Sequence, residues 1–226
     1  MNKLQPFIIP KSLADLDGPY PDYSLFLEAL KENRRSRESI ARLWISEGIP
    51  YAFKDFPALY EEIRRWLGYK LEISPKQISL TGSARLGFSL HLGKKLGSNS
   101  DYDWFVVDEN LFSNLDKEFS IWLNDYESNK VAPKNSTEQR FWDENLIVGK
   151  RNLHYGFFDT NKVPSYPEYK NVSKINNLMS ILVAKIKQNE IEFKPKKSSI
   201  RIYKDWCSAI GQISLNLNWI SENKSS

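Results

Sequence analysis

Apolar and polar positions recur along this chain in two different periods, and each period predicts a different element. In DFPALYEEIRRWLG, Leu59, Ile63, Trp66 and Leu67 follow helical spacing. Pro57 suits the first turn of that helix and Gly68 suits its stop. Helices are also predicted over residues 24–30, over SRESIARLWISEG with Ile40, Leu43 and Trp44 on one side, over LDKEFSIWLNDYES, and over the short run FWDENLIV. SKINNLMSILVAKIKQ and SSIRIYKDWCSAIGQISLNLNWISE read as two long amphipathic helices joined by the basic link KPKK. The other period is short and β-prone. KQISLTGS and DYDWFVVD read as two strands, and KRNLHYGFFDT as a third with Leu153, Tyr155 and Phe157 on one face.

The connections complete the outline. ARLGFSLHL is compatible with a short helix, GKKLGSNS with a turn-rich loop and VPSYPEYKN with a proline-broken loop. Residues 1–22, with Pro6, Pro10, Pro19 and Pro21, read as an irregular arm. Helices, then strands separated by helices, then helices again predict an α+β fold: a small mixed β-sheet flanked by N-terminal and C-terminal helices. Three regions follow: 1–70 as arm and helices packing on the core, 71–165 as the core, and 166–226 as C-terminal helices.

Composition narrows this picture only in places. With 226 residues, 41% hydrophobic and 13% aromatic, the chain can bury a sizeable core and is globular rather than disordered. A net charge of +4 permits a polyanionic partner without requiring one. One cysteine, Cys207, leaves no intrachain disulfide and no zinc cluster, and two histidines are too few for a histidine-based metal site. The N-terminal apolar patch is well short of a signal sequence, and no stretch approaches the roughly 20 apolar residues of a membrane span. The expectation is a cytoplasmic protein with no membrane partner.

The candidate chemistry lies in TGSARLGFSLHLGKKLGSNSDYDWFVVD. Side chains alternate along a strand, so Asp101 and Asp103 point one way and Tyr102 and Trp104 the other. Two same-face carboxylates about 7 Å apart can share hard cations. Phe105, Val106 and Val107 would anchor that strand in the core. Gly82 lets the backbone approach a ligand closely, and Ser83 supplies a hydroxyl and an amide at a helix start suited to phosphate.

Gly82-Ser83 on one strand end, followed by Asp101-Tyr102-Asp103 on the next strand, resembles the signature of the DNA polymerase beta-like nucleotidyltransferase superfamily. The matched motifs cover about a tenth of the chain. The resemblance implies a nucleotidyltransferase fold and transfer of a nucleoside monophosphate from an NTP to an acceptor hydroxyl on RNA, protein or a nucleotide, with Mg2+ or Mn2+ as cofactor. It assigns phosphate binding to Gly82 and Ser83 and metal binding to Asp101 and Asp103. It is shared by housekeeping enzymes, toxin–antitoxin systems and antiviral defence proteins alike. The family usually adds a third carboxylate on the next core strand. Here that strand is read as NLHYGFFD, which offers His154, Gly156 and, at its end, Asp159. With Asp159 the catalytic set is Asp101, Asp103 and Asp159. Without it the same fold reads as an inactive nucleotide- or RNA-binding sensor or regulator. The 17 residues from 84 to 100 make a longer loop than in minimal members.

Basic residues supply the remaining candidates. Lys194, Lys196, Lys197, Arg201 and Lys204, joined by Lys185 and Lys187, form a solvated linker or a contact for triphosphate or RNA backbone; Lys185 and Lys204 are the nucleotide-binding candidates among them. Arg34, Arg35 and Arg37 read as solvated. Trp44, Trp66, Trp122, Trp142, Trp206 and Trp219 read as core packing, with flanking a base the other use open to Trp206.

Overall fold

β-branched and aromatic residues enrich four strands, β1 (Ile78–Thr81), β2 (Tyr102–Val107), β3 (Phe157–Asp159) and β4 (Ser198–Tyr203). They form one sheet in the order β1-β2-β4-β3. β2 and β4 run parallel, while β1 pairs with β2 and β3 with β4 in antiparallel fashion. A parallel pair needs a long crossover, and the chain between β2 and β4 supplies it with α6 (Glu109–Glu127), α7 (Ser136–His154) and α8 (Lys170–Lys187). The computed structural model describes residues 9–98 and 100–224. The α+β class expected from the sequence is borne out.

Register decides which side chains share a face. Ile78 pairs with Val106, Leu80 with Trp104, Trp104 with Ile200 and Val106 with Ile202. That face is buried under α4 (Pro57–Leu71), α6, α7 and α8, whose Leu67, Leu115, Trp142 and Leu182 complete the main core. Each such side chain contributes roughly 1.5–3 kcal/mol on burial. Glu118 of α6 is buried in the same layer. Its carboxylate accepts from the N–H groups of Asn171 at 2.7 Å and Val172 at 2.9 Å, and from the Asn171 side chain at 2.8 Å. It thereby satisfies the free donors at the start of α8. Close approach also shapes this layer, because a Cβ on Gly149 of α7 would lie 2.3 Å from the Phe119 ring of α6.

A second cluster joins the two ends of the chain. α2 (Tyr23–Glu32) and α3 (Arg34–Ile40) pack Phe26, Leu30 and Ile40 against Ile213, Leu217 and Ile220 of α9 (Trp206–Asn223). α3 continues as a π-helical stretch, Ala41–Ser46, a form that commonly marks a functional site. A small third cluster of Phe105, Val107, Phe157, Tyr203 and Ala209 lies on the other face of the sheet.

The structure corrects several expectations. SSIRIYKDW does not begin a helix. It forms β4, and α9 starts only at Trp206, capped by Asp205, which accepts from the N–H of Ser208 at 2.7 Å. Region 166–226 therefore contributes a central strand as well as helices. The third strand is shorter than read, because FWDENLIV belongs to a 19-residue helix that runs through His154. Gly156, at φ +75°, makes the turn into β3. His154 is thus a helix-end residue and not a strand position. Gly68 is not the stop of α4, which continues to Leu71 and ends on Glu72 in the left-handed region at φ 62°. Gly68 instead lets the chain return, since a Cβ there would lie 2.8 Å from the carbonyl oxygen of Ile73. The helix after β1 is only α5 (Gly82–Leu86); the arm includes a single turn, α1 (Lys11–Ala14), with residues 1–8 outside the described residues.

Candidate functional site

β1 ends where β2 begins, since Thr81 stands opposite Asp103. The antiparallel pairing brings the Gly-Ser turn to the Asp-x-Asp strand. Gly82 adopts φ +68°, which favours glycine. A Cβ on it would come within 3.3 Å of Asp103 Oδ2. Backbone and carboxylate are therefore side by side. α5 follows at once and closes on Gly87 at φ +88°, whose N–H donates to the carbonyl of Ser83 at 2.8 Å.

Asp103 is exposed on β2, and Ser199 of β4 donates its hydroxyl to Asp103 Oδ1 at 2.7 Å. Asp101 is exposed one residue before β2. The chain around it is pinned to the approach of β4: Lys196 N–H donates to Ser100 O at 3.1 Å and Tyr102 N–H to Lys197 O at 2.9 Å. The strand next to β2 is β4, so the position beside Asp103 is Ser199. Asp159 lies one strand further on, opposite Arg201. Arg201 grips both oxygens of that carboxylate, Nε at 2.7 Å and a terminal nitrogen at 2.9 Å, and its guanidinium lies 4.6 Å from the centre of the Phe157 ring. Burial opposes the charge on Arg201, but the hydrogen bonds and charge of Asp159 outweigh it and hold the pKa above the ordinary guanidinium value.

Gly82, Ser83, Asp103, Asp159, Ser199 and Arg201 line one cleft of about 400 Å3. Ile213, Asn216, Leu217 and Ile220 of α9 roof it. His91 stands at its lining, 5.3 Å from the ring of Trp219. A neighbouring groove of 660 Å3 shares Asp159, Ser199 and Arg201 with the cleft and adds Lys196 and Lys197.

The predicted residues are only partly brought together. Gly82, Ser83, Asp103 and Asp159 share the cleft; Asp101 flanks it without lining it. Lys185 lies elsewhere, its ammonium 5.7 Å from the Trp66 ring in a groove between α4 and α8. Lys204 follows the far end of β4, where its N–H donates to Gly156 O at 2.8 Å. Neither lysine lines the cleft, so neither is placed to meet a nucleotide there. Arg85, inside the matched motif, is buried and donates to the carbonyls of Trp44, Glu47 and Ile49. It ties α5 to the π-helical turn, and burial lowers its pKa. Ser199 is the residue that the sequence reading missed as part of the cleft, while Arg201, named there only within a basic set for triphosphate or RNA backbone, turns out to line it beside Asp159. Their signal was the alternation in Ser-Ser-Ile-Arg-Ile-Tyr, which marks a strand with Ser199 and Arg201 on one face.

Among the described residues no group of three or more histidine, cysteine, aspartate or glutamate side chains is arranged to hold a metal ion. A protein-only metal cage is absent from these residues, but magnesium commonly binds through one or two carboxylates plus substrate phosphates. Exposed Asp101 and Asp103 beside an open Gly-Ser turn fit that second pattern. No helix among the described residues is long and apolar enough to cross a membrane. Comparison with known proteins finds no matching family model, no matching curated protein and no matching solved structure.

Proposed function

We propose that this chain is a metal-dependent nucleotidyltransferase that moves an NMP from an NTP to an acceptor hydroxyl on RNA, protein or a nucleotide. The observation that carries this reading is that the Asp103 carboxylate stands beside the Gly82 turn at a cleft, its Oδ2 3.3 Å from where a Cβ on Gly82 would sit. A triphosphate can approach a turn without a side chain, and the carboxylate there can share its cation. Asp101 and Asp103 would hold Mg2+ or Mn2+ together with the phosphates. When bound, such a cation neutralises charge on the phosphates and on the leaving pyrophosphate. Ser83 would orient the triphosphate through its hydroxyl and amide. Arg201 lines the same cleft with its charge paired to Asp159, so this ion pair would meet a phosphate only as a polar wall.

A second reading is supported by a specific observation. Ser199 occupies the strand position beside Asp103, and Arg201 neutralises Asp159. A chain built this way can bind nucleotide or RNA as a non-catalytic sensor or regulator. One experiment separates the two. The protein is incubated with each labelled NTP, magnesium and cell extract, and label is sorted into RNA, protein and small molecules. Transfer that disappears in Asp103→Ala supports the enzyme. NTP binding with label in no product supports the regulator. Absence of NTP binding rejects the enzyme, and absence of RNA binding as well rejects the regulator.

A further inference from the structure

A cavity of about 830 Å3 lies outside the cleft and shares no lining residue with it. It runs beside β1, between the turn at residues 46–48, the turn at 74–77 and the first turn of α9. Arg42, Arg64 and Lys76 line it, against the single acidic residue Glu47. Arg64 is already engaged: its Nε donates to Pro75 O at 2.8 Å, and a terminal nitrogen pairs with Glu61 at 3.3 Å. Arg42 and Lys76 are exposed, and among the described residues neither the Arg42 guanidinium nor the Lys76 ammonium makes an ion pair or hydrogen bond.

The same cavity is lined by Trp206. This indole is 42% exposed, and its ring contact is with Phe105, at 6.2 Å and perpendicular. A large apolar ring left in water beside uncommitted cations has an unused π-face and an unused charge field. A nucleotide complements both, the base by stacking and the phosphate by charge. Addition of a peptide strand along β1 fits less well, because the Ser79 hydroxyl donates to Ser46 O at 3.2 Å and the π-helical turn lies against that strand.

We propose that this groove is a second ligand site that takes a nucleotide moiety, with its base on Trp206 and its phosphates on Arg42 and Lys76. The moiety is either a free nucleotide or one unit of a single-stranded nucleic acid. The site stands apart from the proposed transferase cleft and does not depend on it.

The test uses the full chain without magnesium. A fluorescein-labelled single-stranded oligouridylate is followed by anisotropy, and AMP and UMP by calorimetry. Binding should weaken with salt at a log–log slope of about −1.4, as expected for two phosphate contacts on a single strand. Trp206→Ala should weaken it roughly 5- to 150-fold, and Trp206→Phe, which keeps a ring, should retain most of it. Arg42→Glu with Lys76→Glu should abolish it, and Asp103→Ala should leave it unchanged. An oligonucleotide that binds more tightly than AMP or UMP identifies nucleic acid as the source; equal affinities with the same sensitivity to the variants identify the free nucleotide. The proposal is overturned if neither binds, if binding ignores both Trp206→Ala and the charge reversals, or if polyglutamate binds as tightly as the oligonucleotide.

Discussion

The two faces of one sheet have opposite fates in this molecule. On one, Trp104, Val106, Phe158, Ile200 and Ile202 are all at most 3% exposed and belong to the main core. On the other, the same strands carry Asp103, Ser199, Arg201 and Asp159 toward a cleft, and bury Phe105, Val107, Phe157 and Tyr203 only at the far end. Strand alternation alone sorts the residues, since neighbours in sequence point to opposite sides. The chemistry-bearing residues therefore rest on strands whose other face is the main core. A substitution on one face should act on stability, and one on the other face on ligand binding.

Adjacent residues give the sharpest break of that comparison. Trp104→Ala should cost about 3–5 kcal/mol by urea unfolding. Asp103→Ala, one residue away but exposed, should stay within about 1 kcal/mol. Equal losses at the two positions would contradict the division of faces. Next in size is Glu118→Ala beneath the core face. It leaves three donors at the start of α8 without their carboxylate and should cost about 3 kcal/mol, read in the same unfolding measurement.

Asp159→Asn probes the polar face. It should cost about 1–2 kcal/mol, because the part-buried Arg201 loses a charged two-point partner. Its effect on labelled-NTP transfer discriminates between roles. Transfer that survives makes Asp159 a positioning partner of Arg201; transfer that is lost, with NTP binding intact, makes it part of the reacting set. The smallest effect belongs to Asp205, the cap of α9, the helix that roofs the cleft. Asp205→Ala should cost about 1 kcal/mol at neutral pH. The backbone hydrogen bond from Ser208 holds the Asp205 carboxyl below the ordinary value of 3.8. A carboxyl with a depressed folded pKa contributes its stability above its unfolded value and loses it as pH falls through the folded one. The gap between wild type and Asp205→Ala should therefore close below about pH 3.8 in thermal melts.

Much of this arrangement was legible in the residues. DYDWFVVD displayed its two faces by alternation, and GS followed by DxD pointed to the strand end where Gly82 meets Asp103. The amphipathic repeats placed α4, α6 and α8. What escaped was β4, because the apolar residues after 205 continue at helical spacing and drew SSIRIY into the same helix. The loss had a consequence for the site. Without β4, β3 looked like the neighbour of β2, and Asp159 looked like the third carboxylate beside Asp103. Strand order in a sheet depends on crossovers that local periodicity does not encode. Trp206 and Trp219 escaped for another reason. Aromatic residues at helical spacing imply burial, yet these two are 42% and 53% exposed, and only tertiary packing determines which face of α9 is covered.

The proposed function requires Asp103 and the Gly82 turn to form one phosphate-and-cation site on the polar face. Calorimetric titration of the chain with ATP, GTP, CTP and UTP, with and without magnesium, tests this directly. The prediction is magnesium-dependent binding of at least one NTP by the wild-type chain, lost in Asp103→Ala and in Gly82→Val, while both variants melt cooperatively. Binding of no NTP, or binding of equal strength without magnesium and in Asp103→Ala, would contradict it.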